Sequence, residues 1–100
     1  MEKRTPHCRL TVVHALLSAG RVHATRTALE GAAELGLGYD DILDTILDLS
    51  PSDFFKSMTT RADHRIWQDV YRPMTRAGRV YLKLTVIDDL LVVSFKELDP

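Results

Sequence analysis

Four polar residues in the second half of the chain carry side chains that together could cleave RNA without a metal ion: Lys56, Gln68, Tyr81 and Lys96. In that reaction the 2′-hydroxyl loses a proton, the charge of the phosphorane is neutralised, and the leaving 5′-oxygen gains a proton. Lysines can neutralise that charge, and a lysine crowded by other cations can have a lowered pKa and act as a base or an acid. Tyrosine can donate a proton or stack on a base, and glutamine can orient a base or a hydroxyl. An ordinary alternative stays open, because tyrosine and lysine on an exposed strand face are commonly only cross-strand partners.

Four segments of alternating polarity, rich in β-branched and aromatic residues, predict the strands that would carry these side chains. They are 54–60, 66–71, 79–87 and 90–96. A two-residue turn, Asp88-Asp89, separates the last two segments, and a turn of that length fixes the register of a hairpin. The predicted pairs are Tyr81 with Lys96, Leu82 with Phe95, Thr85 with Val92 and Ile87 with Leu90. Tyr81 and Lys96 should therefore be direct neighbours, with Cβ atoms about 4.5–5.5 Å apart.

The same alternation assigns a face to each residue of these strands. The predicted core side of the last hairpin is Leu82, Leu84, Val86, Leu91, Val93 and Phe95, and its other side is Tyr81, Lys83, Thr85, Val92, Ser94 and Lys96. Gln68 is in phase with the apolar Val70, and Lys56 is in phase with Phe54 and Met58. Polar residues in such positions lie either at the rim of a sheet or in a functional site.

The first half of the chain predicts three helices from its caps and its helical spacing of apolar residues. They are expected to run from Thr5-Pro6 to Gly20, from Thr25 or Thr27 to Gly36, and from Asp40 to Ser50-Pro51. Thr5-Pro6 offers a capping hydroxyl followed by proline at the first helical position. Thr27 and Glu30 have the spacing of a capping box. At the other end, Ser50 precedes a proline, which disfavours helix.

Helices followed by consecutive strands predict an α+β fold, in which N-terminal helices pack on a largely antiparallel β-sheet meander. One domain is expected over residues 1–100, because 100 residues suffice for one domain and not for two. Its residues 1–50 should be mainly helical and 51–98 mainly strands. Pro73–Gly78 is the one cluster of turn residues long enough to be mobile.

The formal net charge of −1 conceals a strongly uneven distribution along the chain. Residues 27–55 contain seven acidic and no basic side chains, whereas 56–83 contain seven basic and two acidic ones. Because charges act within a Debye length of about 8–10 Å, the two blocks can act almost independently. The acids can be helix caps and a solvated face, they can meet a positively charged partner, or they can repel RNA. The basic block exceeds what solubility needs and suits a nucleic acid.

Several other functional classes are disfavoured by composition. A single cysteine, Cys8, excludes an internal disulfide and a Cys-x-x-Cys motif. The four scattered histidines and the absence of a recognised phosphate or hydrolase motif predict no metal and no cofactor. No apolar run approaches the length of a membrane span, and the N-terminus lacks a signal-peptide core, so a cytoplasmic protein without membrane association is expected.

Long motifs in the right order carry a resemblance to a known family. They are Ser52–Thr60, Asp63-His64, Ile66–Pro73, Val80–Ile87 and Val93–Glu97, together with the opening Met1–His7 and the turn Glu34–Leu37. Over essentially the whole chain the sequence resembles the motility quorum-sensing regulator toxin family (MqsR), a branch of the RelE-like bacterial toxins. Arg61-Ala62 differs from the Tyr-Ser expected there, and Cys8 is not a hallmark of the family.

The resemblance implies a RelE-like microbial RNase toxin fold and the toxin of a type II toxin–antitoxin system. The implied activity is that of a ribosome-independent, metal-independent mRNA interferase, an endonuclease that cuts single-stranded mRNA near GC-containing sites such as GCU. Growth and translation would be inhibited, and a cognate antitoxin with a zinc-binding N-terminal domain and a DNA-binding C-terminal domain would neutralise the toxin. Through that antitoxin the pair would act on its own operator DNA.

The resemblance also implies roles for individual residues of this sequence. The family's functional positions fall on Lys56, Gln68, Tyr81 and Lys96, the residues that the strand phases single out. Substrate binding is expected from Met58, Arg72, Lys83 and His64. A second class of function stays open: a non-catalytic regulator of transcription that binds an antitoxin or a nucleic acid through the basic face.

Overall fold

The largest element of the fold is a seven-stranded sheet, seen in a computed structural model that describes residues 1–98. Its strands are β1 (Glu2–Lys3), β2 (Val22–Ala24), β3 (Phe54–Thr59), β4 (Trp67–Tyr71), β5 (Met74–Thr75), β6 (Gly78–Ile87) and β7 (Asp89–Glu97). The strand order is β1-β3-β4-β6-β7-β2, and β5 pairs with β6 beside this path. Only β2 pairs in parallel, with β7, so the predicted largely antiparallel sheet is confirmed.

Three helices precede the four long strands, and they confirm the predicted α+β class. They are α1 (Leu10–Ser18), α2 (Arg26–Glu34) and α3 (Tyr39–Leu47). The side chain of Thr25 caps α2 by accepting a hydrogen bond from the Ala28 backbone N–H, so Thr25 rather than Thr27 begins this helix. Helix α2 lies directly on β7: a Cβ at Gly31 would be 2.0 Å from the Phe95 carbonyl oxygen. Glycine at this position therefore permits the close approach of helix and sheet.

One hydrophobic core lies between the helices and the sheet. The helices contribute Val13, Ala28, Ala32, Ile42 and Ile46, and the strands contribute Tyr71, Val80, Leu82, Leu84, Leu90, Val92 and Phe95. All of these side chains are at most 2% exposed. Because the three helices pack on the same side of the sheet, its opposite face is not covered by helices. Within residues 1–98, no helix is long and apolar enough to cross a membrane.

The N-terminal region differs from the prediction. Helix α1 begins at Leu10 rather than at Thr5-Pro6, because the backbone N–H groups of His7 and Cys8 donate to the carboxylate of Asp69 on β4. Those donors cannot also belong to a helical turn. The short strands β1 and β2 were not predicted within the mainly helical residues 1–50, and α3 begins one residue before the predicted Asp40.

The last hairpin has a tighter turn than predicted, and a bulge restores the register further along. Asp88 has a positive φ of 64°, and Ile87 pairs with Asp89 instead of Leu90. Thr85 accordingly pairs with Leu91, so the predicted partner Val92 is wrong. A register shift follows Lys83, and beyond it Leu82 pairs with Phe95 and Tyr81 with Lys96, as predicted.

The bulge also changes which residues of β7 enter the core. Leu90 and Val92 are fully buried on the helix side, whereas Leu91 and Val93, predicted to be core residues, are only partly buried. A single extra residue inverts the alternation on one side of the bulge. The segment Pro73–Gly78, predicted as a mobile turn, contains β5 and is closed by a 2.7 Å hydrogen bond from the Thr75 hydroxyl to the Gly78 carbonyl.

Candidate active site

The face of the sheet opposite the helices brings together the four predicted catalytic residues. Lys56 lies opposite Val70 on β4, Val70 lies opposite Lys83 on β6, and Lys83 lies opposite Ser94 on β7. Residues directly opposite each other in a sheet share a face. This row therefore places two lysines two strands apart, at roughly 10 Å between their Cα atoms given a strand spacing of about 4.8 Å. Val70 between them is fully buried.

The remaining predicted residues of the strands join this face by the same pairing. Tyr81 lies opposite Lys96, and Met58 lies opposite Gln68. Gln68 is two residues from Val70 on β4, so both side chains point to the same side. The face is thus defined by Lys56, Met58, Gln68, Tyr81, Lys83 and Lys96, and we call it the lysine face.

Two ammonium groups lie close to the ring of Tyr81. The Nζ atom of Lys96 is 5.2 Å from the ring centroid, and that of Lys83 is 5.7 Å from it. Burial lowers the pKa of Lys83, and the positive charges of Lys96 and Lys56 lower it further. A lysine in this setting gives up its proton more readily than one in water. Lys83 and Lys96 thus surround Tyr81 with positive charge, and Lys56 is close enough to Lys83 to act on its pKa.

Lys56 forms an ion pair with Glu2 that the sequence did not predict, and Lys56 is the more enclosed of the two side chains. Its ammonium group donates a short hydrogen bond to the carboxylate of Glu2 on β1. The Lys56 side chain is 20% exposed, whereas that of Glu2 is 52% exposed. This hydrogen bond and the Lys56 charge hold the pKa of Glu2 below its ordinary value, so Glu2 is an anion at neutral pH.

A cluster of cations around Phe55 extends the site beyond Lys56. The guanidinium carbon of Arg72 is 3.8 Å from the ring centroid of Phe55, and Arg4 and Lys56 each place a cationic group 5.4 Å from it. Phe55 occupies a register shift between Phe54 and Lys56. An aromatic ring among cations can stack a base while its neighbours bind phosphates. Arg72 was predicted to bind substrate, whereas its neighbours Phe55 and Arg4 were not singled out from the sequence.

Two predicted substrate-binding residues lie outside the paired strands: Arg72, directly after β4, and His64. His64 lies in the exposed turn between β3 and β4, next to the ion pair that Arg65 forms with Asp63. The strand pairing that assembles the lysine face therefore does not fix the position of His64 relative to Lys56 or Tyr81.

On the helix side of the sheet, Asp69 anchors the N-terminal segment. Asp69 is 4% exposed, and its carboxylate accepts hydrogen bonds from the Ser57 hydroxyl at 2.6 Å, the His7 N–H at 3.0 Å and the Cys8 N–H at 2.9 Å. These bonds fix the chain just after β1. Asp69 thereby supports, from behind the sheet, the strand that carries Glu2.

Taken together, the fold and the site define an α+β protein whose antiparallel sheet presents lysines and a tyrosine suited to a phosphodiester. The sequence model of the family described as "Motility quorum-sensing regulator, toxin of MqsA" matches residues 5–97. The chain is also 62% identical over 97 residues to the mRNA interferase toxin MqsR of Escherichia coli (strain K12), which covers 97% of this chain and 99% of that protein. The chain belongs to the motility quorum-sensing regulator toxin family, as the resemblance implied.

Proposed function

We propose that this chain is a metal-independent mRNA interferase, an endoribonuclease that acts as the toxin of a toxin–antitoxin pair. The observation that carries the proposal is the lysine face, which Lys56, Gln68, Tyr81 and Lys96 share although they come from four different strands. The Escherichia coli relative is named an mRNA interferase, and it is similar over nearly the whole length of both chains.

We assign the residue roles from the charges and contacts on that face. Lys56 and Lys96 neutralise the phosphate and the charge that develops in the transition state. Tyr81, which lies opposite Lys96, and Gln68 transfer a proton or position a base. Lys83 adds a cation beside Tyr81, and its lowered pKa means that it gives up a proton more readily than a lysine in water.

The substrate in this proposal is single-stranded mRNA, cut near GC-containing sites such as GCU in the cytoplasm. Met58 and Arg72 lie on or beside the lysine face and contact the RNA, and His64 reaches it from the neighbouring turn. Arg72 and Phe55 supply a stacked cation and ring at one end of the face. Cleavage of mRNA there inhibits translation and growth.

The partner in this proposal is a cognate antitoxin, since the family is described as the toxin of MqsA. That antitoxin neutralises the toxin, carries a zinc-binding N-terminal domain and a DNA-binding C-terminal domain, and links the toxin to its operator DNA. Expression of the chain alone should arrest growth, and co-expression of the neighbouring gene should restore it. Growth arrest without rescue contradicts the antitoxin assignment.

The test of the catalytic proposal is cleavage of a GCU-containing RNA by the purified chain in the presence of EDTA. Lys56→Ala and Tyr81→Ala should each slow cleavage by about 100-fold or more, since each removes charge stabilisation or proton transfer. Tyr39→Ala is the matched control, because Tyr39 is an exposed tyrosine on α3, on the helix side. Full activity of either site variant, or loss of activity in EDTA, contradicts the mechanism. RNA binding without any cleavage supports the non-catalytic regulator instead.

A further inference from the structure

The ion pair between Glu2 and Lys56 places a carboxylate inside a site that must receive a phosphate. β1 pairs with β3 through Glu2 opposite Met58 and Lys3 opposite Ser57, so the Glu2 backbone is fixed at the edge of the lysine face. The Thr59 N–H also donates to the Met1 carbonyl at 3.0 Å. The carboxylate is therefore delivered to Lys56 by the register of the sheet rather than by a free chain end.

A phosphate oxygen and the Glu2 carboxylate cannot both approach Lys56 without cost. A lysine ammonium has three donors, but two anions that share it repel each other at a few ångströms. The side chain that can move is Glu2, which is 52% exposed, whereas Lys56 is 20% exposed and enclosed by its neighbours. Because the pKa of Glu2 lies below its ordinary value, protonation at neutral pH does not remove the conflict.

We propose that Glu2 is a positioning residue that holds the ammonium of Lys56 on the lysine face in the free protein and is displaced by a substrate phosphate. The carboxylate takes the place of a phosphate oxygen until RNA arrives, so that RNA binding includes the free energy of breaking one ion pair. This inference rests on the proposed RNA-cleaving function of Lys56. It adds a residue from a strand 54 positions away in sequence.

The test compares Glu2→Gln with the native chain in two assays of one GCU-containing sequence. The first measures the Kd of an RNA with 2′-O-methyl groups, which binds but cannot react, and the second measures kcat and KM on unmodified RNA. Glu2→Gln should lower Kd and KM about two- to five-fold, the fold-change that corresponds to a partly exposed ion pair. The value of kcat should stay unchanged, because the pair is already broken in the bound complex.

Two further variants separate the ion pair from a general effect of charge. Glu30→Gln makes the same change of charge on α2, where Glu30 pairs with Arg26, and should leave Kd unchanged. In a Lys56→Gln background, Glu2→Gln should no longer change Kd, because the pair that it breaks is already absent. An equal effect of Glu2→Gln with and without Lys56 overturns the inference in favour of long-range repulsion.

Other outcomes are equally decisive. An unchanged Kd and KM in Glu2→Gln overturns the displacement of Glu2. A fall in kcat, together with the loss of the acidic limb of the pH profile, overturns it too and makes Glu2 a proton acceptor. If the native chain binds the RNA but does not cut it, the proposed function fails, while the Kd measurements still decide the role of Glu2.

Discussion

Replacement of Asp69 by alanine should destabilise the protein more than any change of an exposed acid. The carboxylate accepts hydrogen bonds from the hydroxyl of Ser57 and from the N–H groups of His7 and Cys8, and it is nearly inaccessible to water. Asp69→Ala removes three hydrogen bonds at once and leaves each donor without its partner. The loss falls at the point where the N-terminal segment is attached to β4.

The loss of stability in Asp69→Ala depends on which of the three donors can form a hydrogen bond to water instead. A hydrogen bond to a charged group contributes about 1.5–3 kcal/mol, and an unsatisfied buried donor costs about 1–3 kcal/mol. The Ser57 side chain is fully buried and keeps only a long hydrogen bond, 3.4 Å, to the Gln68 carbonyl, whereas His7 is exposed and Cys8 partly so, and their N–H groups can bind water. One full loss and two partial losses give about 2–4 kcal/mol. For a domain of this size, each kcal/mol shifts Tm by roughly 4–8 °C.

Thermal unfolding followed by circular dichroism, with urea titrations at 25 °C, measures this effect. Ser57→Ala should cost about 1 kcal/mol, because it removes one of the three bonds together with its donor. Asp44→Ala on α3 is the control, since Asp44 is exposed and on the opposite layer. A value for Asp69→Ala within about 0.5 kcal/mol of the native chain, the range of ordinary surface substitutions, refutes the reasoning.

Two further predictions concern ionisable groups. Lys83→Met should raise the free energy of unfolding at pH 7 and should weaken RNA binding in an anisotropy titration. The stability rises because the pKa of Lys83 is lowered by burial and by the charges of Lys96 and Lys56, which means that the charged form of Lys83 disfavours the fold. This penalty is fully present below the lowered pKa, falls as pH rises above it and is gone above the ordinary pKa of 10.5, so the charge contribution to the difference in stability between variant and native chain should vanish there; a less stable variant at pH 7 contradicts the reasoning. Asp41→Asn should lower stability more at pH 6 than at pH 2, because hydrogen bonds from Arg76 and from a backbone N–H hold the pKa of Asp41 below its ordinary 3.8. The stabilisation by the Asp41 carboxylate is present above pH 3.8, the ordinary pKa, and is lost as pH falls through the lowered pKa. Parallel stability curves of variant and native chain from pH 2 to pH 6 contradict this prediction.

The strand phases singled out Lys56, Gln68, Tyr81 and Lys96 as candidates because these residues lie on strands with a clear alternation. Tyr81 and Lys96 were paired correctly even though the turn was placed one residue too far along. The error at Ile87 and Asp89 is cancelled by the bulge after Lys83, which adds one residue to β7. A positive φ at Asp88 and a bulge depend on tertiary packing, and neither has a dependable sequence signal in this chain.

The N-terminal part of the site could not be predicted for a different reason. β1 contains two residues, too few to show alternation, and it exists because Glu2 and Lys3 pair with β3. The pattern of Thr5-Pro6 predicted a helix start because it is a local cap signal. The buried carboxylate of Asp69 overrides that signal from more than 60 residues away, since it engages the donors of His7 and Cys8.

Phe55 shows a third limit of the sequence. It lies next to Lys56, and strict alternation would place the two side chains on opposite faces. The register shift between Phe54 and Lys56 instead brings the Lys56 ammonium 5.4 Å from the Phe55 ring. Arg4 and Arg72 reach the same ring from separate segments.

The central claim is that the lysine face cleaves RNA without a metal ion, through attack of the RNA's own 2′-hydroxyl on the phosphate. The chemical form of the RNA ends tests this claim most directly. Mass spectrometry of the fragments formed in EDTA should show a 2′,3′-cyclic phosphate on one fragment and a 5′-hydroxyl on the other. A substrate with a single 2′-deoxy nucleotide at the scissile position should resist cleavage, because the nucleophile is absent. Fragments with a 3′-hydroxyl and a 5′-phosphate, or cleavage of the 2′-deoxy substrate at that bond, would contradict the account.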